Sequence, residues 1–158
     1  MSQKNKSTYN SKFVQKSRFG EMRALLSLLL TFNGAQNERI IVRGHAFPCL
    51  KEFCLFKSTS RTRPTYVKFE EGAMPKLEKL KVPFVVSVAK AYGFSLGINH
   101  LPCLKHAEVI LDNREATSSE RKAAAAAIRN EANANPNHPR VFISVRGRGR
   151  EFHENLPI

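Results

Sequence analysis

Apolar positions recur along this chain in a fixed phrase. Phe47-Pro48-Cys49-Leu50-Lys51-Glu52-Phe53-Cys54-Leu55 is one copy; Met74-Pro75-Lys76-Leu77-Glu78-Lys79-Leu80-Lys81-Val82 is a second. Leu101-Pro102-Cys103-Leu104-Lys105-His106-Ala107-Glu108-Val109 is a third. Each reads apolar, proline, any residue, leucine, two polar residues, then apolar-x-apolar. The prolines at 48, 75 and 102 set a period of 27 residues, met twice. A fourth copy without the proline, Leu25-x-x-Leu28-x-Leu30, starts 25 residues ahead of Leu50. In the alternating part, side chains point to opposite faces of a short strand, so its two apolar residues share one face. The leading leucine, three residues earlier, tucks in from the entering turn. The proline fixes φ just before the strand and removes an N–H there. No copy can bury its apolar face alone, so the copies must stack with their strands parallel.

A period of roughly 20–29 residues carrying L-x-x-L-x-L is the mark of a leucine-rich repeat. The expected fold class is therefore α/β: a leucine-rich-repeat solenoid fragment with parallel strands on the concave face. Gly34, Gly44, Gly72, Gly93 and Gly97 fall between strands, where the chain must turn. Residues 85–92 fit a short helical turn, 40–42 an extra extended piece, and 57–64 an exposed polar loop. Past the third copy the pattern changes. Thr117-Ser118-Ser119-Glu120 is a capping box, and residues 121–132 are rich in strong helix formers. Ala124, Ala127 and Ile128 give this helix one apolar stripe. Val141, Ile143 and Val145 then alternate like a last strand, so the end is expected to be a helix-strand cap that closes the solenoid core. The organisation expected is a basic tail at 1–23, about four repeats plus the cap over 24–145, and an Arg/Gly tail at 146–158. Leu25, Leu28 and Leu30, on the open end, are expected to be only partly covered, and the chain by itself only marginally stable.

In-register stacking places outward residues in rows across the strands. Leu26, Lys51, Glu78 and Lys105 form one row; Ser27, Glu52, Lys79 and His106 a second; Leu29, Cys54, Lys81 and Glu108 a third. Opposite charges become neighbours in each row, which stabilises such a face by a few tenths of a kcal/mol per pair, on the order of other exposed pairs. Lys51, Glu52, Glu78, Lys79, Lys81, Lys105, His106 and Glu108 are the candidate partner-binding surface.

Composition narrows the classes. The chain has 158 residues, 42% of them hydrophobic, which is enough for a core. The longest apolar stretch, residues 25–30, is interrupted by Ser27 and far shorter than the roughly 20 residues of a membrane span. The net charge of +13 leaves an anionic partner open. Its densest parts are the ends: residues 1–23 hold six basic groups and one acid, and 140–158 hold four Arg and two Glu. Residues 24–139 hold 16 basic and 10 acidic groups, and those that fall in the predicted rows alternate in sign. Arg146-Gly147-Arg148-Gly149-Arg150 has the chemistry of an RNA-contacting segment, but one short run is little to build on. Cys49, Cys54 and Cys103 are an odd set without close pairing, which fits a reduced, intracellular setting better than a disulfide framework. Cys49 and Cys103 share a repeat position and read as small core residues, Cys103 pointing inward. No Cys/His spacing of a zinc site, no phosphate-cradling G-x-x-x-x-G-K-[ST] and no nucleophile elbow occurs, so no cofactor, metal or catalytic residue is expected.

The chain resembles the C-terminal leucine-rich-repeat region of plant nucleotide-binding leucine-rich-repeat disease resistance proteins, above all the coiled-coil class of grasses. The residues that carry the likeness are Phe47-Pro48-x-Leu50-Lys51, Phe69-Glu70-Glu71-Gly72-Ala73-Met74-Pro75-Lys76-Leu77-Glu78-Lys79-Leu80 and Gly97-Ile98-x-His100-Leu101-Pro102-x-Leu104-Lys105. Asn135-Pro136-Asn137-His138-Pro139 behind an Ala-rich helix is similar to that family's usual ending. The likeness spans roughly residues 24–145 and leaves out both ends. It implies a cytoplasmic, non-enzymatic module that recognises a pathogen effector, a host protein or the receptor's own nucleotide-binding module. The chain has neither the coiled coil nor the nucleotide-binding switch, so it is expected to be a truncated product, and nucleotide binding does not carry over. Two other readings remain open: a basic nucleic-acid-binding protein acting through its tails, although nucleic acid is not the expected partner, and a receptor remnant without function.

Overall fold

The computed structural model describes residues 25–32, 38–57, 65–112, 115–146 and 151–152. Among the described residues eight strands and two α-helices follow in order: β1 (Ser27–Phe32), β2 (Glu38–Val42), β3 (Glu52–Lys57), β4 (Thr65–Phe69), β5 (Lys79–Val85), α1 (Val86–Ala89), β6 (His106–Asp112), α2 (Ser118–Ala134), β7 (Arg140–Arg146) and β8 (Glu151–Phe152). The main sheet has the order β1-β3-β5-β6-β7-β8. It is parallel as far as β7, and β8 returns antiparallel. β2 and β4 form a second, parallel pair on the opposite wall.

The sequence period is the register of both walls. Ser27 lies opposite Glu52, Glu52 opposite Lys79 and Lys79 opposite His106, so partners stand 25, 27 and 27 residues apart. β2 and β4 keep the same 27-residue offset, Glu38 facing Thr65. At the strand entrances the N–H groups of Lys51, Glu78, Lys105 and Arg140 donate to the carbonyls of Leu26, Lys51, Glu78 and Lys105, at 2.8–2.9 Å. The outer turns stack likewise: the N–H of His45 donates to the Gly72 carbonyl and that of Met74 to the Ala46 carbonyl, each at 3.0 Å.

Every copy of the phrase fills the core as its spacing requires. Leu50, Leu77 and Leu104 are wholly buried, and so are the paired strand residues Phe53 and Leu55, Leu80 and Val82, and Ala107 and Val109. Tyr66, Val67, Phe69, Val86, Leu96 and Ile98 close the core from the outer wall. The extended piece at 40–42 belongs to β2, and the helical turn at 85–92 is α1 followed by the 3-10 turn Lys90–Tyr92. Gly97 marks the tightest approach between turns. Its φ is +88°, and a Cβ there would stand 2.1 Å from the Phe69 carbonyl oxygen. No other residue fits, because Phe69 donates its N–H to the adjacent Leu96 carbonyl and cannot retreat.

The cap is built differently. The β6–β7 register jumps by 34 residues, His106 facing Arg140, to make room for the 17 residues of α2. Thr117 and Glu120 form the expected capping box: the Glu120 N–H donates to Thr117 Oγ1 and the Thr117 N–H to Glu120 Oε2. Lys90 adds a 2.6 Å contact to Glu120, and these two partners hold its carboxyl below the usual carboxylate range. Toward its end α2 grips the preceding loop by side chains. Glu131 accepts from the N–H groups of Leu96, Gly97 and Ile98 at 2.8–3.0 Å. Buried Asn135 donates to the carbonyls of Ile98 and Leu101, and Asn137 donates to that of Leu104.

Several expectations are corrected. Leu25, Leu28 and Leu30 are buried, because β1 pairs with β3 along its whole length and faces the same core. Cys103 is exposed and Cys49 half-buried. The residue after the proline lies on the outside of the turn, and the following leucine takes the core position. The stripe of α2 is Ala124, Ala125, Ile128 and Ala132, with Ala127 only half-buried, since the helix rolls one position from the predicted face. Lys57 ends β3 rather than opening the loop, and the rest of that loop lies outside the described residues. The sheet also runs beyond residue 145, through Arg146 and the β8 pair. The basic N-terminal tail and residues 147–150 and 153–158 lie outside the described residues.

Candidate functional site

Alternation along β1, β3, β5 and β6 leaves one set of side chains on the outward face of the main sheet. The parallel register then lines them up across strands. Ser27, Glu52, Lys79 and His106 form one row and Leu29, Cys54, Lys81 and Glu108 the next, as the spacing predicts. Lys51, Glu78 and Lys105 follow each other at the strand entrances, on the rim. Five of the eight candidate residues, Glu52, Lys79, Lys81, His106 and Glu108, thus line this face, and Lys51, Glu78 and Lys105 stand at its edge. Its hollow, about 480 Å³ in volume, is lined by the two inner rows and closed at one end by Phe142.

The charges pair across the strands. Lys79 meets Glu52 at 3.4 Å, Lys81 meets Glu108 at 3.2 Å and Lys105 meets Glu78 at 3.3 Å. All six side chains keep substantial contact with water. Each pair therefore contributes on the order of 0.2–1 kcal/mol, and side chains so weakly held can exchange partners at little cost. Lys81 also sits 5.5 Å from the centre of the Phe56 ring. Lys51, His106 and Arg140 have no acidic partner among the described residues. Cys54 is half-buried in the floor, and burial pushes its thiol up to about 11. It is protonated at neutral pH and a poor nucleophile.

A second strip of this face escaped the sequence reading. One alternation step beyond the charged rows stand Phe56 on β3 and, in register across β5 to β7, Pro83, Ile110 and Ser144. Phe56 and, opposite Glu108 at the end of the second charged row, Phe142 are large apolar side chains exposed to water, Phe142 to 55%. The signal was present: inward Val141, Ile143 and Val145 imply that Arg140, Phe142 and Ser144 face outward. The face is therefore divided along the strand direction, with charged rows near the strand entrances and an apolar strip toward the exits. Among the described residues no group of three or more His, Cys, Asp or Glu could hold a metal ion. No described helix is long and apolar enough to cross a membrane. The arrangement offers binding contacts: weakly paired charges, unpaired cations and an adjoining apolar strip.

Two comparisons bear on this geometry. The model of a family described as a leucine-rich repeat region matches residues 16–141, most of the chain. No curated protein matches it.

Proposed function

Because the chain belongs to the leucine-rich-repeat region family, we propose that it is a non-enzymatic module that recognises another protein through the hollow face of its main sheet. The observation that carries this reading is the face itself. Four consecutive turns hold their outward residues in register, and the result is a broad, rigid surface of exchangeable ion pairs beside exposed apolar side chains. Surfaces that set mixed charge beside exposed apolar side chains suit protein partners, whose encounter the charges steer.

The finer reading is a recognition module of a plant disease resistance protein, acting inside the cell. It is supported by the phrases at 47–51, 69–80 and 97–105 and by the Asn-Pro-Asn-His-Pro ending. That ending has a definite job in the fold, since Asn135 and Asn137 bind the last repeat's loop. The partner is then a pathogen effector, a host protein or the nucleotide-binding module of a receptor.

The test is an interaction screen run in parallel on the unaltered chain and on the double charge reversal K79E/K81E. The expected outcome is a set of protein partners retained by the first and lost by the second, at equal yield of folded protein. Identical partner sets overturn the reading. Partners that prove to be RNA or DNA, released by salt and indifferent to the reversal, favour binding through the basic tails instead.

A further inference from the structure

From the layout of the hollow face we infer that its β6–β7 end is the specificity pocket, built for an extended segment carrying a carboxylate two residues from a large apolar side chain. The inference rests on the protein-recognition reading and names the chemistry of the partner at that same surface. The three ion pairs cancel most of the charge on the face and leave it asymmetric. At the β6–β7 end, His106 and Arg140 are direct partners in the register, both exposed and both without an acid among the described residues. Lys79 stands on the other side of His106 and is occupied by Glu52. A segment laid here therefore meets an unopposed cation with a ring donor beside it. Two residues along the same strand, on the same face, is Phe142, exposed to 55% at the end of the hollow. Outward residues two apart on a strand are about 6.7 Å apart, which is also the i, i+2 repeat of an extended peptide. A Glu or Asp on Arg140 thus delivers the side chain two positions away onto Phe142. At the opposite end the unpaired Lys51 has only buried Phe53 two residues along the chain, beside Leu26, Ser27 and Leu29, so among the described residues no cation–aromatic pair there matches Arg140 and Phe142 and the recognition is directional.

The probe is a pair of nine-residue peptides, Gly-Ser-Gly-Glu-Gly-Leu-Gly-Ser-Gly and the same peptide with Lys in place of Glu, titrated against the full chain by NMR. The acidic peptide is expected to bind at least tenfold more tightly and to move the signals of His106, Arg140 and Phe142. R140E is expected to reverse the preference between the two peptides, and F142S to weaken both. K122E, the same charge change on exposed Lys122 of α2, is expected to leave the preference intact. Equal affinity for the two peptides overturns the inference, and so does an equal effect of R140E and K122E, which would reduce the binding to overall charge. Shifts confined to the face but centred on Leu26 and Leu29 would overturn it while leaving the broader reading standing; shifts confined to α2 and the outer wall would sink both.

Discussion

The repeating turns and the cap solve the same problem by different means. Between β1 and β6, each turn repeats the last. The backbone ladder recurs at the same entrance positions, and one leucine per turn disappears into the core. The cap repeats nothing. Its register jumps, a long helix replaces the outer wall, and single polar side chains fasten it: Glu131 to three amides, Asn135 to two carbonyls, Asn137 to one. Periodic apolar burial can propagate a solenoid but cannot end one. The last turn exposes backbone groups that no next turn will meet, and the cap supplies side chains for them. The consequence for function is a division of labour: the periodic turns present the outward rows, and the cap keeps the final row in place.

That contrast can be broken at both sides, and the largest effect is expected in the periodic part. Leu77→Ala empties a wholly buried position at the centre of the stack. It is expected to cost about 2–5 kcal/mol in chemical denaturation and to abolish a cooperative transition if the chain's reserve is smaller. Next is the cap. Asn135→Ala leaves the carbonyls of Ile98 and Leu101 without their donor in a buried place, at an expected cost of about 2–3 kcal/mol. Hydrogen exchange should then rise in α2 and β7 while β1 to β5 stay protected. Uniform loss of protection would mean that cap and repeats are one cooperative unit.

These two sites also differ in how legible they were. The position of Leu77 follows from period and alternation, and so do the rows, the ion pairs and the parallel order of five strands. Periodicity fixes register directly, because a slip by one residue would turn each apolar pair outward. The capping box was equally plain, being local. Asn135 was visible only as part of a familiar ending; its partners lie more than 30 residues away, and no spacing rule reaches them. The exposed Cys103 was misjudged because an apolar-looking position in a repeat is not always a core position. Arg140 was counted with a tail although it begins β7, which hid the cation at the end of the face.

Smaller effects sharpen the comparison. Thr117→Ala removes the N-cap of α2 and is expected to cost about 1 kcal/mol, confined to the cap. Glu120 gives the same region a pH dependence of known sign. Its carboxyl is held low by Lys90 and the Thr117 N–H, so its stabilising contribution is present above the ordinary carboxylate range and is lost as pH falls through its lowered value. Acid should therefore loosen the start of α2, and Glu120→Gln should remove that part of the response in an exchange experiment run against pH. The smallest effect belongs to the face: Lys105→Ala is expected to change stability by only a few tenths of a kcal/mol. A loss above about 1 kcal/mol would mean that its pair with Glu78 is a structural clamp and not an exchangeable contact.

The central claim is that the hollow face of the main sheet, and not α2 or the outer wall, meets the partner. Site-specific photocrosslinking tests it most directly. A benzophenone side chain is placed at Ile110, on the apolar strip of the face, or at Lys122, on the exposed side of α2, and each chain is irradiated with a captured protein partner. The account predicts a crosslink from position 110 and none from position 122. A crosslink from 122 with none from 110 would contradict it.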